Sequence, residues 1–213
     1  EIRGLAVASR NASDGQSFID TADGALGEVH SMLVRMRELA VQSQNGTLQT
    51  SDKLALGVEF DALEAEITRI STSTSWAGIK ILDGTHDGGI SFRIGSSENI
   101  THSVHDMGAT ATTIGMAATH TVAQASTISV LDAAIANVSS ERAELGAVSN
   151  RIDSTVANLN QIKVNLIASK GRIEDTDFAQ ETANLAKGQI LQQAATAMLA
   201  QANASKSTVL TLL

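Results

Sequence analysis

The sequence predicts a mainly α protein: an elongated antiparallel helical bundle, a coiled-coil-like rod, with a small β-hairpin region and a separate C-terminal helix. Three observations lead there. Apolar residues recur at three- and four-residue steps over long stretches, which keeps one seam of each helix against its partners. The 213 residues include no proline, so no ring removes a backbone donor from a long helix. Aromatic residues make up 2% of the chain, with no tyrosine and Trp76 as the single indole, so Ala, Leu, Ile and Val must do the packing. Small side chains suit thin helical packing better than a broad globule.

The first seam runs Leu5, Ala8, Ala12, Gly15, Ile19, Ala22, Leu26, Val29, Leu33, Met36, Ala40. At 1.5 Å per residue this is a helix of roughly 65 Å. Gly4, Gly15, Gly24 and Gly27 each cost it about 1 kcal/mol against Ala, which makes sense where another backbone packs close or a kink is wanted. Asn45-Gly46 is a helix-ending pair, and Ser51-Asp52 starts the next helix. That helix continues with Leu56, Phe60, Leu63, Ile67 and Ile70, long enough to fold back antiparallel over about half of the first.

The period then changes. "GIKIL" and "ISFRI" alternate around "DGTHDGG", which predicts a hairpin of Ile79–Leu82 with Ile90–Ile94. The stretch 99–125 is rich in Ser, Thr, Ala and Gly without periodicity and reads as a loop. A third long helix starts near Ser126 or Ser129, where Ser129-x-x-Asp132 matches a capping box. Its seam is Ile128, Leu131, Ile135, Val138, Leu145, Ile152, Val156, Leu159 and Leu166, with polar intrusions at Arg142, Ser149 and Lys163 that fit register-setting positions or the edges of a three-helix contact. It ends at Gly171, and Asp175 and Asp177 favour the start of a last helix.

From Leu185 to Leu213 that last helix holds two charges, Lys187 and Lys206. Leu185, Ile190, Leu191, Ala194, Met198 and Leu199 make it apolar around most of its circumference. A helix of that kind is normally buried, and nothing else in the chain is left to bury it.

Composition also excludes. A net charge of −8 speaks against nucleic acid, which demands clustered Lys and Arg. Without cysteine there is no disulfide, thiolate metal site or thiol nucleophile, and the chain suits unfolded export. No apolar run approaches the ~18 residues of a spanning helix, so no membrane insertion is expected. The opening "EIRGLAVASRN" has no initiator Met, secretory apolar region or cap, and is expected to begin inside a helix that lacks its amino-terminal part.

Four segments, "RNASDG" (10–15), "MRELAVQSQNGT" (36–47), "LGAVSNRIDSTVANL" (145–159) and "QILQQAATAMLAQAN" (189–203), closely resemble bacterial flagellin. The resemblance covers almost the whole chain except 99–125. It implies a subunit of the flagellar filament, a secreted, extracellular structural protein of motility exported through the flagellar type III apparatus. It places 1–100 and 126–170 in a discontinuous rod domain, 101–125 as a short remnant of the hypervariable region, and 171–213 in the carboxyl half of the inner-tube domain. The implied partners are other flagellin subunits and an export chaperone on the C-terminal segment. Such a helix is then covered by other copies. Arg35, Leu39 and Glu59 match family positions gripped by a vertebrate innate immune receptor, on a surface that also contacts neighbouring subunits. Arg35 and Leu39, four apart, share a helix face outside the first seam. A minimal hypervariable region implies a smooth filament. The alternative is a flagellin relative serving as cell-surface ligand binder, adhesin or hook–filament junction protein.

Catalytic patterns are weak. His86, His102 and His105 lie near Asp87 and Asp106, but the H-E-x-x-H of metalloprotease inserts is not present, and polar loop residues are the plain reading. The N-x-[ST] patterns at Asn11, Asn45, Asn99, Asn137 and Asn203 mean little outside a Sec-type route, while Thr110–Ser129 is a candidate for O-linked sugars. No nucleophilic triad, phosphate loop or paired acidic motif has a credible setting, so neither an enzyme nor a cofactor is expected.

Overall fold

The structure is a computed structural model and describes residues 1–95, 98–109, 113–115, 121–175 and 177–211, with side chains to Ser205. In chain order the elements are α1 (Ile2–Ser43), α2 (Thr50–Ser73), β1 (Ser75–Trp76), β2 (Ile79–Lys80), β3 (Ile90–Arg93), β4 (Asn99–His102), α3 (Ala125–Glu174) and α4 (Phe178–Thr211). They fall into two compact units, Glu1–Val164 and Asn165–Leu213.

In the first unit, α1 buries the predicted stripe from Ala8 to Ala40 without a gap. Phe18 and Leu39 are buried beside Ile19 and Ala40, so the stripe is two residues wide in two places. The helix stops as the Asn45-Gly46 pair predicts: Asn45 Oδ1 accepts the Thr47 N–H (3.1 Å) and draws the chain into a turn. Across the turn, the Asp52 carboxylate accepts the Gln49 N–H (3.0 Å) and satisfies a free donor at the start of α2.

Polar bridges set the direction of the helices in this unit. Arg35 on α1 reaches Glu59 on α2 (2.8 Å) just beyond the turn, so the two run antiparallel. Between α1 and α3, Arg37 meets Asp132 (2.5 Å), Asp23 meets Arg142 (2.7 and 3.2 Å), and Gln16 donates to Ser149 Oγ (2.7 Å). The α3 number rises as the α1 number falls, which fixes an antiparallel pair. Arg142 and Ser149 therefore set register, as expected.

The seams of α2 and α3 are narrower than predicted. Phe60 and Ile67, and Leu131, Val138, Leu145 and Ile152, are fully buried, whereas Leu56, Leu63 and Ile135 are half-buried against the same core. Leu159 is also half-buried. Counting ten residues on from Ser149 along the antiparallel α3 leads to the first turns of α1, where the bundle runs out. The buried α3 stripe also takes in Ala134 and Glu141, outside the predicted seam.

Because α2 is 24 residues and α1 is 42, the amino-terminal half of α1 needs another cover. The β region supplies it. Phe92 of β3 lies on Gly15, where an added Cβ would sit 2.9 Å from the ring. Phe18 meets Phe92 at 5.6 Å and the edge of Trp76 at 6.3 Å between ring centroids. Asn11 Nδ2 donates to the Arg93 carbonyl (3.0 Å) and ties α1 to the end of β3. Three of the chain's five aromatic rings gather here, where small seam residues alone would leave space.

Four expectations need correction. The strands do not form one hairpin of 79–82 with 90–94: β1 pairs with β2, and β3 with β4 (Ile90 opposite His102, Arg93 opposite Asn99). A tight turn at Ala77 and Gly78, both at positive φ (49° and 84°), turns the chain back before it can reach β3. Within 99–125 the first four residues form β4 and the other described residues before α3 are irregular, as expected, but the stretch is not left outside the core: Ile100, Val104, Met107, Ala109, Ile114 and Val122 all enter it. Residues 110–112 and 116–120 of that stretch lie outside the described residues. No capping box forms at Ser129, because Asp132 is taken by Arg37 and Ser129 Oγ donates to the Ser126 carbonyl. Finally, α3 runs through Gly171 to Glu174, and the unit boundary falls before Asn165 rather than at 170.

Gly15 and Gly24 make a matched test, since nothing lies within 4 Å of a Cβ added at Gly24. Gly24→Ala should gain about 0.5–1 kcal/mol from helix propensity. Gly15→Ala should instead lose about 1 kcal/mol, because overpacking against Phe92 outweighs that gain. Urea unfolding of the two variants beside the parent gives both signs.

Candidate functional site

Candidate surfaces begin on the exposed side of α1. Arg35 is half-exposed and donates from Nε to Glu59 (2.8 Å) and from Nη1 to Glu38 (3.1 Å). Those bonds, Glu59's first, hold the guanidinium above its ordinary value. Leu39 does not join this face. It is 0% exposed, packed in the core beside Ala40, which corrects its placement on the candidate receptor surface. Three residues after the buried Met36, Leu39 extends the seam sideways. Arg35 and Glu59 are brought together and Leu39 is kept from them.

Apolar side chains are left uncovered on the other helices of this unit. Leu54 and Val58 of α2 are exposed beside a groove that includes Gly57 and Val122, and α3 exposes Ile162 and Val164. Such residues singly are ordinary; two on adjacent turns over a groove form a patch.

The second unit contains α4. Asp177 accepts the backbone N–H groups of Ala179 and Gln180 (2.9 and 3.4 Å), the N-cap role expected of it. Asp175 lies instead over Gly171, at the end of α3. Leu185, Ile190, Leu191, Met198 and Leu199 are each at least 60% exposed, and Ala194 is exposed with them. At roughly 100° per residue these positions spread over about 220° of the helix, wider than one ordinary packing face. Among the described residues none of α4 is buried. No helix of the described residues is long and apolar enough to cross a membrane.

His86 stays in the turn between β2 and β3, but His102 and His105 do not behave as polar loop residues. His102 sits on the inward side of β4 and is buried, as are Ile100 and Val104 on the same alternation. Glu141 of α3, itself buried, meets His105 Nδ1 at 2.9 Å and lies 3.7 Å from His102 Nε2. Among the described residues no set of three or more His, Cys, Asp or Glu side chains is placed to hold a metal ion. Sequence reasoning passed over Glu141 because its histidine partners come 36 and 39 residues earlier, on another element. Asn11 and Asn137, two of the N-x-[ST] asparagines, donate to backbone carbonyls of Arg93 and Thr113. Part of the Thr110–Ser129 sugar candidate lies outside the described residues.

Comparison with known proteins decides the class. The profile of the bacterial flagellin N-terminal helical region matches residues 1–87, and that of the C-terminal helical region matches 128–213. A flagellin of Halalkalibacterium halodurans is 45% identical over all of this chain and 80% of its own length. The chain belongs to the bacterial flagellins. A flagellin of Bacillus subtilis is 40% identical, again over all of this chain and 82% of its own length. The crystal structure of Bacillus cereus flagellin aligns with a TM-score of 0.62 at 30% identity, over 70% of this chain and 88% of that one. This flagellin is thus a structural subunit of the bacterial flagellar filament, a polymer of such subunits outside the cell.

The two halves of the α1 surface separate in stability. Leu39→Ala should cost this flagellin roughly 2–5 kcal/mol, as buried Leu truncations do. Arg35→Ala should leave the urea midpoint close to the parent. A Leu39→Ala midpoint equally close to the parent would return that side chain to the surface.

Proposed function

We propose that α4 is the assembly element of this flagellin, buried in the filament by the helices of other copies. The observation that carries this reading is a 34-residue helix, apolar around most of its circumference and with no buried position among its described side chains. Exposed area of that kind drives association at about 25 cal/mol per Å² removed from water. The first unit contributes lateral contacts through its rod surface, where the exposed Leu54 and Val58 offer an apolar patch and Arg35 with Glu59 a charged one. The function is mechanical, without a catalytic step or a cofactor.

Two further partners follow from the same surfaces. Before export, an export chaperone covers the Leu185–Leu199 stretch and keeps it from premature association. Export itself suits a chain free of cysteine, whose helices can unfold and refold without cross-links. A vertebrate innate immune receptor docking on the exposed side of α1 meets Arg35 and Glu59, with Leu39 only supporting them from inside the core.

Replacing Leu191 by Asp tests the tail. An unpaired carboxylate in an apolar contact should raise the critical concentration for polymerisation about ten-fold or more. Electron microscopy and pelleting of purified protein read this out, while the melting of the first unit serves as the folding control. Filaments forming at the parent's concentration would remove α4 from the assembly interface.

A further inference from the structure

Glu141 is the only buried carboxylate among the described residues, and the fold places two imidazoles against it. His105, half-exposed, hydrogen-bonds to Oε2 at 2.9 Å. His102, 7% exposed, faces Oε1 at 3.7 Å, too far for a hydrogen bond and near enough for charge to be felt. His102 Nε2 and Glu141 Oε1 both lack a hydrogen-bond partner. These contacts join β4 and the segment after it to the middle of α3.

We propose that Glu141, His102 and His105 form a pH-dependent latch that holds the β3–β4 ribbon on α3 most firmly when the two histidines share one proton. Charge counting gives the reason. One ionised carboxylate beside one imidazolium is neutral, whereas any other occupancy buries a net charge in the core. A second proton, on His102, adds a buried cation beside His105. Loss of the proton from His105 leaves the Glu141 carboxylate with neutral partners only.

The charged groups facing the cluster from outside, Glu144 and Asp87, are both acidic. Burial pushes His102 below the ordinary imidazole value, with Glu141 and then Glu144 opposing it and His105 adding to it. The hydrogen bond to Glu141 lifts His105 above that value, burial opposes, and the charges of Glu141, Asp87 and Glu144 add to the rise. A group raised by folding stabilises below its unfolded value, and that contribution is lost as pH climbs through the folded one. A histidine lowered by folding does the reverse: its contribution is complete above the unfolded value and lost as pH falls. The two limbs meet near the ordinary imidazole value of about 6.5, where the latch is tightest. Its release frees Ile100 and Val104 from the core and loosens the Met107 N–H bond to the Leu82 carbonyl (3.0 Å). The latch lies wholly within the first unit and does not rest on the assembly reading.

Histidine-ring NMR titration of the full chain, with exchange of the Met107 amide followed across the same range, is the test. The expected result is a His105 midpoint above the ordinary value and a His102 midpoint below it. Protection at Met107, corrected for intrinsic exchange, should peak between them. Glu141→Gln should bring the His105 midpoint down and abolish the alkaline limb, and His102→Gln should remove only the acid limb. Coincident midpoints in the parent, or Met107 protection that changes monotonically with pH, would overturn the latch. The parent measurements alone decide it should the Glu141 variant not fold.

Discussion

The first unit is organised by one constraint: the apolar stripe of α1 must be covered from Ala8 to Ala40, and no single element is long enough on its second side. The antiparallel α3 runs along one flank, bonded to it from Gln16 to Arg37. The other flank is divided between α2 and the β region, and the changeover falls near Phe18 and Ala22. Helix packing at the α2 end is replaced at the other end by three aromatic rings over Gly15. A Cβ at position 15 would have kept β3 off the helix, so the glycine is what lets a flat ribbon stand in for a helix. Trp76 and Phe92 are both brought in by short strands, which explains why a nearly all-α chain has any β structure.

Cohesion and alignment are handled by different residues. The fully buried Leu, Ile, Val and Met positions supply the favourable transfer of apolar surface, and they would do so about as well with α3 slid by one turn. Asp23 with Arg142, Arg37 with Asp132, and Gln16 with Ser149 penalise such a slide, because each would lose its partner. The two ion pairs are about half-exposed, so their contribution to overall stability is small. Their value lies in choosing one alignment among several of similar apolar content, as polar residues flanking coiled-coil seams do.

What could be read from the sequence follows the same division. Long helices, their seams and the Asp177 cap are encoded locally, by spacing and by a side chain next to the donors it satisfies, and all are present in the structure. Strand pairing was misread because the turn at Ala77-Gly78 lacks the Asn-Gly or Asp-Gly signature, whereas the "DGTHDGG" run that does carry it joins strands that do not pair. Leu39 was misplaced because spacing locates the centre of a stripe and not its width. The burial of 99–125 was invisible because irregular chain delivers its apolar side chains one at a time, without a period. Glu141 reads as an ordinary solvated charge until β4 folds over it. For function, the chain's own physics leads only to an uncovered helix; the four flagellin-like segments carry the family.

That uncovered helix separates two things that usually come together. In most helices of this length the contacts that bury the apolar face also stabilise the helical backbone. Here α4 has 34 residues, is rich in Ala, Leu and Gln, and has an acidic N-cap, so its backbone order draws on intrinsic propensity and capping. Its side chains are left to find partners in another molecule. A subunit of a polymer gains from this arrangement. The helix can re-form within one chain, quickly and without a template, while burial waits for a neighbouring copy. Placing a helix breaker in the middle of α4 would therefore act before assembly, and placing a charge on it would act during assembly.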